Sequence, residues 1–218
     1  MLQVPPTALT LRVDWCTAEA ARHAVANWHY ARTLPFGRSV KVGAWEDGRF
    51  VGCVIFARGA NRNAASPYGI QPTEIAELVR VALTSHQTPV SRIVSIAIRF
   101  LRKHSPGLRL LFSYADPSQG HHGGIYQAGN WTYVGTSKPQ AAVMVDGRVT
   151  HKRVAWDDIG STAGLARVHT QPKHKYLMPL DDAMRAQVAP LAKPYPKRIL
   201  RAETSAPRGT TTGAGGAT

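Results

Sequence analysis

Residues 74–115 place the tightest constraint on how this chain can fold, because they contain two apolar runs with a helical pattern between them. Glu74–Leu83 is rich in Val, Leu and Ile, and Leu108–Ala115 is a second run of the same kind. Pro89 suits the first turn of a helix, and Pro106–Gly107 ends it. Apolar runs of this length are typical of buried strands. The stretch therefore predicts two interior strands of a sheet with a helix between them.

Hairpins and further helices extend this unit on both sides. Asp-Gly pairs at Asp47–Gly48 and Asp146–Gly147 join strand-like runs, and this dipeptide is a strong hairpin signal. Thr17 is a suitable N-cap for a helix that follows a first strand. The further predicted elements are strands Leu9–Asp14, Val40–Glu46, Phe50–Ala57, Trp131–Gly135 and Ala142–Val154, and helices Gly120–Ala128, with Gly129 at C′, and 181–189. This order predicts an α/β (α+β) fold with a mixed sheet.

The chain is predicted to form one core, an extension and a tail. Its 218 residues fit a single domain with an extension. The hydrophobic pattern weakens after residue 155, so we expect a core over 1–155 and an extension over 156–200 that packs on it. The stretch 201–218 has Pro, Arg, Thr and Gly but little to bury, which predicts disorder.

The charge balance bears on the partners of the protein. Lys and Arg outnumber Asp and Glu by 27 to 13, which gives a net charge of +14. This surplus favours a polyanionic partner, although it also fits a protein that is merely basic. Two isolated cysteines, Cys16 and Cys53, exclude a disulfide framework and a CxxC metal site. Because no signal peptide or membrane-spanning run is visible, we expect a soluble, intracellular protein.

The stretch Leu111–Trp131 concentrates the unusual chemistry of the chain. An apolar run ends on Asp116, a turn follows, and His121–His122 and Gly123–Gly124 lead to Tyr126. Three interpretations are open: a metal site, a cofactor pocket, or a polar turn with no further role. Adjacent histidines seldom converge on one ion, and no HxxxH or HExxH pattern accompanies them, so a metal is not favoured.

The same stretch resembles the GNAT acetyltransferase fold. Asp116 ends a strand, and the short helix carries Ile125–Trp131, similar to the acetyltransferase pattern of an Asn at a strand end followed by Leu-Tyr-x-x-x-Gly-Phe. The resemblance implies a mostly antiparallel central sheet flanked by helices, with an acyl-CoA such as acetyl-CoA as cofactor. It also implies that Tyr126 stands beside the cofactor sulfur and protonates the departing thiolate.

A resemblance to the Mom proteins of bacteriophages covers most of the chain, from about residue 24 to residue 198. Its motifs are Asn27–Tyr30, Glu77–Val81, Ser113–Pro117 and Lys173–Tyr176. Mom proteins are GNAT-like enzymes that modify adenine at N6 in DNA, giving a carbamoylmethyl (methylcarbamoyl) base that protects phage DNA from host restriction. The resemblance implies double-stranded DNA and an acyl-CoA-like donor as partners, no membrane, and the host cytoplasm as location. It also suggests that 156–200 contacts DNA.

The resemblance and the polar pattern together give eleven candidate site residues. Catalytic roles are expected for His29, Tyr30, Asp116 and Tyr126, cofactor binding for Arg80, Ser91 and Arg92, and substrate binding for Trp28, Tyr114, His121 and His122. Arg80 lies in an apolar strand with Glu77 expected on the other face, so it is predicted to face an anion of the cofactor or substrate. His29 as an ordinary helix-end histidine and Tyr126 as a core tyrosine stay open as alternatives.

One departure from acetyltransferases concerns the loop before the long helix. Those enzymes hold the cofactor pyrophosphate with a glycine-rich loop, whereas Ser85–Arg92 contains no glycine. A helix N-terminus still offers free N–H groups, to which Ser91 and Arg92 can add donors. Two other functions stay open, namely an ordinary acyl-CoA-dependent N-acetyltransferase and a basic DNA-binding module without catalysis.

Overall fold

The fold is built from ten strands and four helices within the residues that a computed structural model describes, which are 9–59, 61, 63–151, 155–156 and 159–197. The strands are β1 Leu11–Trp15, β2 Ser39–Glu46, β3 Arg49–Ala57, β4 Ile75–Leu83, β5 Leu110–Ala115, β6 Thr132–Thr136, β7 Ala141–Val145, β8 Arg148–His151, β9 Arg167–His169 and β10 His174–Pro179. The helices are α1 Ala18–Trp28, α2 Val90–His104, α3 Gly124–Ala128 and α4 Asp182–Val188. Most of the predicted strands and helices are therefore confirmed.

The strands form two sheets. Seven of them make the main sheet in the order β1-β2-β3-β4-β5-β10-β6, and β8-β7-β9 make a second sheet. Among these strands only β4 and β5 pair in parallel. The mixed, mostly antiparallel sheet expected of a GNAT-like fold is confirmed. Both Asp-Gly hairpins are confirmed as well, since Asp47, Gly48, Asp146 and Gly147 all have the positive φ that such a turn requires.

The β4–β5 pair is short and leaves a gap beyond it. Its parallel register joins Ile75–Glu77 to Leu110–Phe112, although both strands continue further. Past the last pair, the hydroxyl of Ser113 donates to the carbonyl of Leu78 at 2.7 Å and bridges the two strands. The carboxyl ends of neighbouring parallel strands are where sheets of this kind bind ligands. The gap is therefore the expected position of a ligand-binding site.

A bulge in β4 changes which side chains share a face of the sheet. Two successive residues of β3 pair with Leu78 and Arg80, so Val79 is an extra residue in β4. Residues three apart point to opposite faces of a regular strand, but the extra residue brings Glu77 and Arg80 to the same cavity. The prediction that Glu77 lies on the other face is therefore wrong.

The two long helices cover opposite faces of the main sheet. α1 packs Ala21, Ala24 and Val25 on one face, and α2 packs an apolar stripe on the other. The predicted cap of α1 is confirmed, because the hydroxyl of Thr17 accepts from the amide of Ala20 at 3.1 Å. The C-terminal end of α1 and the N-terminal end of α2 both reach the gap between β4 and β5.

The turn after β5 differs from the prediction of a helix over Gly120–Ala128. Pro117–Gln119 form a separate 3-10 turn, and Gly120 then takes a left-handed conformation with φ of 72°. α3 therefore begins only at Gly124. The predicted C′ glycine is also wrong, because Gly129 has φ of −94° and Asn130 takes the left-handed conformation instead.

The C-terminal part of the chain contributes to the main sheet. β10 lies between β5 and β6, an interior strand that the sequence pattern does not predict. α4 follows it, capped by Asp181, whose carboxylate accepts from the amide of Met184 at 2.7 Å. The predicted tail at 201–218 lies outside the described residues. Within the part of the chain that is described, no helix has the length and apolar character needed to cross a membrane.

Candidate functional site

A cavity of about 620 Å³ occupies the gap between β4 and β5. Nine of the eleven predicted site residues line it: Trp28, His29, Tyr30, Arg80, Tyr114, Asp116, His121, His122 and Tyr126. Ser91 and Arg92 do not line it and lie instead on the first turn of α2, whose Val90 does. The structure thus brings most of these residues together, while their roles stay predictions.

His29 and Tyr30 follow directly on α1 and form one wall of the cavity. Their ring centroids lie 4.4 Å apart, and Tyr30 meets the ring of His121 edge-on at 5.5 Å. Nδ1 of His29 accepts from the amide of Ala31 at 3.0 Å, so a neutral ring carries its proton on Nε2. Burial, and after it the charges of Arg80 and His121, lower the pKa of His29 to about 4. His29 is therefore neutral at pH 7 and does not act as a cation at the helix end.

Arg80 contributes a cation to the same cavity. Its Nη1 donates to the carbonyl of Val79 at 2.8 Å, and its Nε donates to the carbonyl of Thr33 at 3.4 Å. These carbonyls hold the guanidinium without neutralising it. Among the described residues, no carboxylate forms an ion pair with Arg80. The arrangement can hold an anionic group of a bound molecule.

Asp116 anchors the turn that follows β5. Its Oδ1 accepts from the amide of Ser118 at 3.0 Å and from the hydroxyl of Ser118 at 2.6 Å. Its Oδ2 forms an ion pair with Nζ of Lys173 at 2.8 Å. Burial acts to raise the pKa of Asp116, but the hydrogen bonds from Lys173 and Ser118 outweigh it and lower the pKa. The carboxylate is therefore ionised, and both of its oxygens have partners within the protein.

Tyr126 is buried at the base of the cavity and hydrogen-bonded. Its Oη lies 2.7 Å from Oγ of Ser113. Ser113 uses its one hydroxyl proton for the carbonyl of Leu78, so Tyr126 must be the donor in this bond. Burial raises the pKa of Tyr126, which keeps the hydroxyl protonated. The hydroxyl has a proton to give, but it must turn away from Ser113 before it can protonate a leaving group.

The loop that carries His121 and His122 is held in place by Tyr176 on β10. A Cβ at Gly123 would collide with the ring of Tyr176, and Gly123 has φ of 86°. The hydroxyl of Tyr176 donates to the carbonyl of His122 at 2.7 Å. The glycine thus allows the loop to lie against β10. Among the described residues, no three His, Cys, Asp or Glu side chains group as a metal site requires.

The loop between β4 and α2 holds an anion of the protein itself. The amides of Gln87 and Thr88 donate to the two carboxylate oxygens of Glu46, at 2.9 and 2.7 Å. Glu46 is only 4% exposed, so it is a fixed part of this loop. These two amides, which precede the helix, are therefore not available to a bound molecule. Anion binding near this loop is left to the first turn of α2.

Three residues of the site were missed by the sequence reasoning. Glu77 lines the cavity beside Arg80, Lys173 pairs with Asp116, and Ser113 holds Tyr126. Burial raises the pKa of Glu77 to about 7, against the opposing effect of nearby cations. All three lie inside the motifs of the resemblance, which was the available signal. The bulge in β4 and the placement of β10 could not be predicted from the sequence pattern.

Comparison with known proteins gives matches over most of the chain. A curated relative, the methylcarbamoylase mom of Escherichia phage Mu, is 25% identical over 203 residues, which cover 86% of this chain and 84% of that protein. Among solved structures, an aminoglycoside acetyltransferase in complex with coenzyme A is similar with a TM-score of 0.49 at 12% identity, covering 83% of this chain and 98% of that one. The N-acyl amino acid synthase FeeM from uncultured soil microbes is similar with a TM-score of 0.46 at 15% identity, covering 85% and 98%. The sequence pattern of the Mom protein family matches residues 10–197. The chain therefore belongs to the Mom protein family.

Proposed function

We propose that the protein is a transferase that modifies N6 of adenine in DNA with a carbamoylmethyl-type group and so protects phage DNA from host restriction. Membership of the Mom family and the similarity to a methylcarbamoylase support this proposal. The observation that carries it is the convergence of His29, Tyr30, Arg80, Asp116 and Tyr126 on one cavity. These residues come from four separate segments of the chain.

The cavity has two sides that differ in chemistry, which suits a reaction between two bound molecules. On the side of α1, aromatic walls from His29, Tyr30 and Tyr114 can stack on a nucleobase. On the side of α2, Val90 and Ile125 give an apolar wall around Tyr126. We assign the first side to adenine and the second to the donor.

Adenine must leave the DNA stack to reach such a cavity. Enzymes that act on a base within a duplex extrude it into a pocket, at a cost of a few kcal/mol. Stacking on an aromatic side chain returns about 1–3 kcal/mol per base. The net charge of +14 favours contact with the phosphates on either side of the extruded base. We further propose that part of 156–200, which already brings Lys173 to the cavity, touches the DNA.

The donor in this proposal is an acyl-CoA-like thioester that already carries the complete methylcarbamoyl-type group, nitrogen included. The carbon that loses the thiolate is then the carbon that bonds to N6. The apolar wall of the cavity and the first turn of α2, with Ser91 and Arg92, fit such a donor. The amides of Gln87 and Thr88 do not contribute, because Glu46 accepts from both. Arg80, which lines the cavity without a described ion-pair partner, can also hold an anionic group of the donor or the substrate.

We assign roles to Tyr126 and Asp116 on the basis of their contacts. Tyr126 keeps a proton at neutral pH and lies at the donor side, so it can protonate the leaving group once its bond to Ser113 is broken. Asp116 has its oxygens engaged by Lys173 and Ser118, so we assign it the ordering of the loop that carries His121 and His122. The reaction is expected in the host cytoplasm.

The decisive experiment is co-expression of the protein with a plasmid, followed by mass spectrometry of the nucleosides from the digested DNA. A deoxyadenosine peak of increased mass is expected, and its mass identifies the transferred group. Plasmid from cells with the empty vector is the control. Unmodified DNA at full protein expression would overturn the proposal. It would leave the two rivals, an N-acetyltransferase for small amines or proteins and a DNA-binding module without catalysis.

A further inference from the structure

Glu77 is a carboxyl group on the adenine side of the cavity. It lies on β4, one side of it faces the cavity, and the other side lies against Gly59 and Phe112. Gly59 has φ of 74°, and a Cβ there would collide with the carboxylate oxygen Oε2 of Glu77. The backbone at Gly59 therefore lies directly against the carboxyl group of Glu77.

Three cations surround Glu77, and each of them is bound to a different group. Arg80 donates to the carbonyl of Val79, Lys173 pairs with Asp116, and Lys175 donates to the hydroxyl of Tyr68 at 3.0 Å. Within the described ranges, no ion pair joins any of them to Glu77. The carboxyl group therefore has cations nearby but no ion-pair partner among the described residues. Such a group is free to take part in chemistry.

The two carboxyl groups of the cavity are thus in different states. Both oxygens of Asp116 accept from partners that hold the carboxylate in its charged form. To take a proton, Asp116 would have to give up its ion pair with Lys173. Glu77 gives up no hydrogen bond to any described residue when it is protonated. Glu77 is the better proton acceptor.

We propose that Glu77 takes the proton from N6 of adenine during transfer. This inference rests on the proposed function. The lone pair of N6 forms the new N–C bond while the bond between that carbon and the thiolate sulfur breaks, and the sulfur leaves with the bonding electrons. One N6 proton passes to the carboxylate of Glu77, and the departing thiolate takes a proton from Tyr126.

The pH dependence of the reaction follows from the surroundings of Glu77. Among the described residues, the groups that face it are Arg80 on β4, Tyr114 on β5, Tyr126 on α3, Lys173 and Lys175 at β10, and His29 and Tyr30 after α1. Burial raises the pKa of Glu77 to about 7. The ionised form, which accepts the proton, therefore increases about tenfold between pH 6 and pH 8. The rate of modification in buffered extracts of expressing cells should rise by the same factor.

The first test compares Glu77→Gln with Glu19→Gln, which removes the same charge from the exposed first turn of α1. Gln keeps the size of the side chain but cannot take the proton. We expect Glu77→Gln to lower the yield of modified deoxyadenosine by about 100-fold or more, and Glu19→Gln to leave it unchanged. Duplex binding by purified Glu77→Gln should stay close to that of the parent. Modification by Glu77→Gln at the parental rate would overturn the inference.

A second test needs no donor and measures contact between Glu77 and N6 directly. Duplexes carry adenine or N6,N6-dimethyladenine at one unpaired site, and binding is measured for the parent and for Glu77→Leu. Replacing adenine by N6,N6-dimethyladenine should weaken binding to the parent about fivefold, because one hydrogen bond is lost. The same replacement should hardly change binding to Glu77→Leu, which cannot form that hydrogen bond. Equal losses in the two proteins would mean that Glu77 does not contact N6. If the parent leaves plasmid DNA unmodified, the proposed function fails, and this binding comparison still decides the contact.

Discussion

Replacing Glu77 by Gln should change how the stability of the protein depends on pH. Burial raises the pKa of Glu77 from an ordinary value of 4.5 to about 7. The folded protein therefore holds this proton more tightly than the unfolded chain does. The resulting stabilisation is complete below about pH 4.5 and is lost as the pH rises through 7. A pKa difference of about 2.5 corresponds to about 3.4 kcal/mol, of which about 2.5 kcal/mol is lost between pH 5 and pH 8.

Urea unfolding of the parent and of Glu77→Gln at several pH values between 5 and 8 measures this effect. Gln does not titrate, so the difference in unfolding free energy between the two proteins should move by about 2.5 kcal/mol in favour of Gln as the pH rises. Any constant cost of the substitution cancels in this comparison. Glu19→Gln, on the exposed first turn of α1, is the control for loss of one negative charge. A difference that stays constant to within about 0.5 kcal/mol would refute the raised pKa of Glu77. The predicted rise of the modification rate with pH would then have no basis.

Three further predictions concern the rest of the site. Tyr126→Phe should lower the yield of modified deoxyadenosine by about 100-fold or more. Loss of the hydrogen bond to Ser113 should lower the free energy of unfolding in urea by only about 1 kcal/mol. Activity at the parental level would mean that Tyr126 is only a core residue. Duplex binding should weaken about tenfold between 50 and 200 mM salt for every two phosphates contacted, and a binding constant that hardly responds to salt would contradict an electrostatic DNA interface. Protein treated with a chelator should keep its activity, and activity that is lost on chelation and returns with one divalent ion would make the site a metal centre. His122→Ala should lower the modification of DNA more than it lowers the stability of the protein.

The local elements of the fold could be predicted because their signals are local. Thr17 caps α1, and the Asp-Gly pairs at Asp47–Gly48 and Asp146–Gly147 form tight turns, as expected from residues within a few positions of each other. The turn after β5 was predicted less well. Gly120, Gly123 and Asn130 all take the left-handed conformation whereas Gly129 does not, and the ring of Tyr176 leaves no room for a Cβ at Gly123. The sequence pattern alone does not reveal that contact.

The assembly of the cavity was predicted only in part, because two of its features depend on pairing between distant segments. The extra residue at Val79 is visible only in the register between β3 and β4. The arrival of Lys173 at Asp116 depends on the antiparallel pairing of β10 with β5. A period-two reading of β4 places Glu77 and Arg80 on opposite faces, and so it removes Glu77 from the site. The motifs of the resemblance identified the segments that line the cavity, but they did not show which side chains contact each other there.

These two features together explain why one cavity holds two carboxyl groups in opposite states. β10 brings Lys173 to Asp116, and the ion pair lowers the pKa of Asp116. The bulge turns Glu77 into the same cavity, where no described residue forms an ion pair with it, and burial raises its pKa. Titratable groups whose environments move their pKa values apart are typical of sites that divide structural and proton-transfer roles between them. A substitution at Lys173 tests this explanation, because Lys173 acts on both carboxyl groups. Lys173→Met removes the partner of Asp116 and a cation near Glu77, so the pKa of both carboxyl groups should rise. The rise in modification rate with pH should then shift to higher pH. A pH profile identical to that of the parent would mean that neither carboxyl group controls the rate.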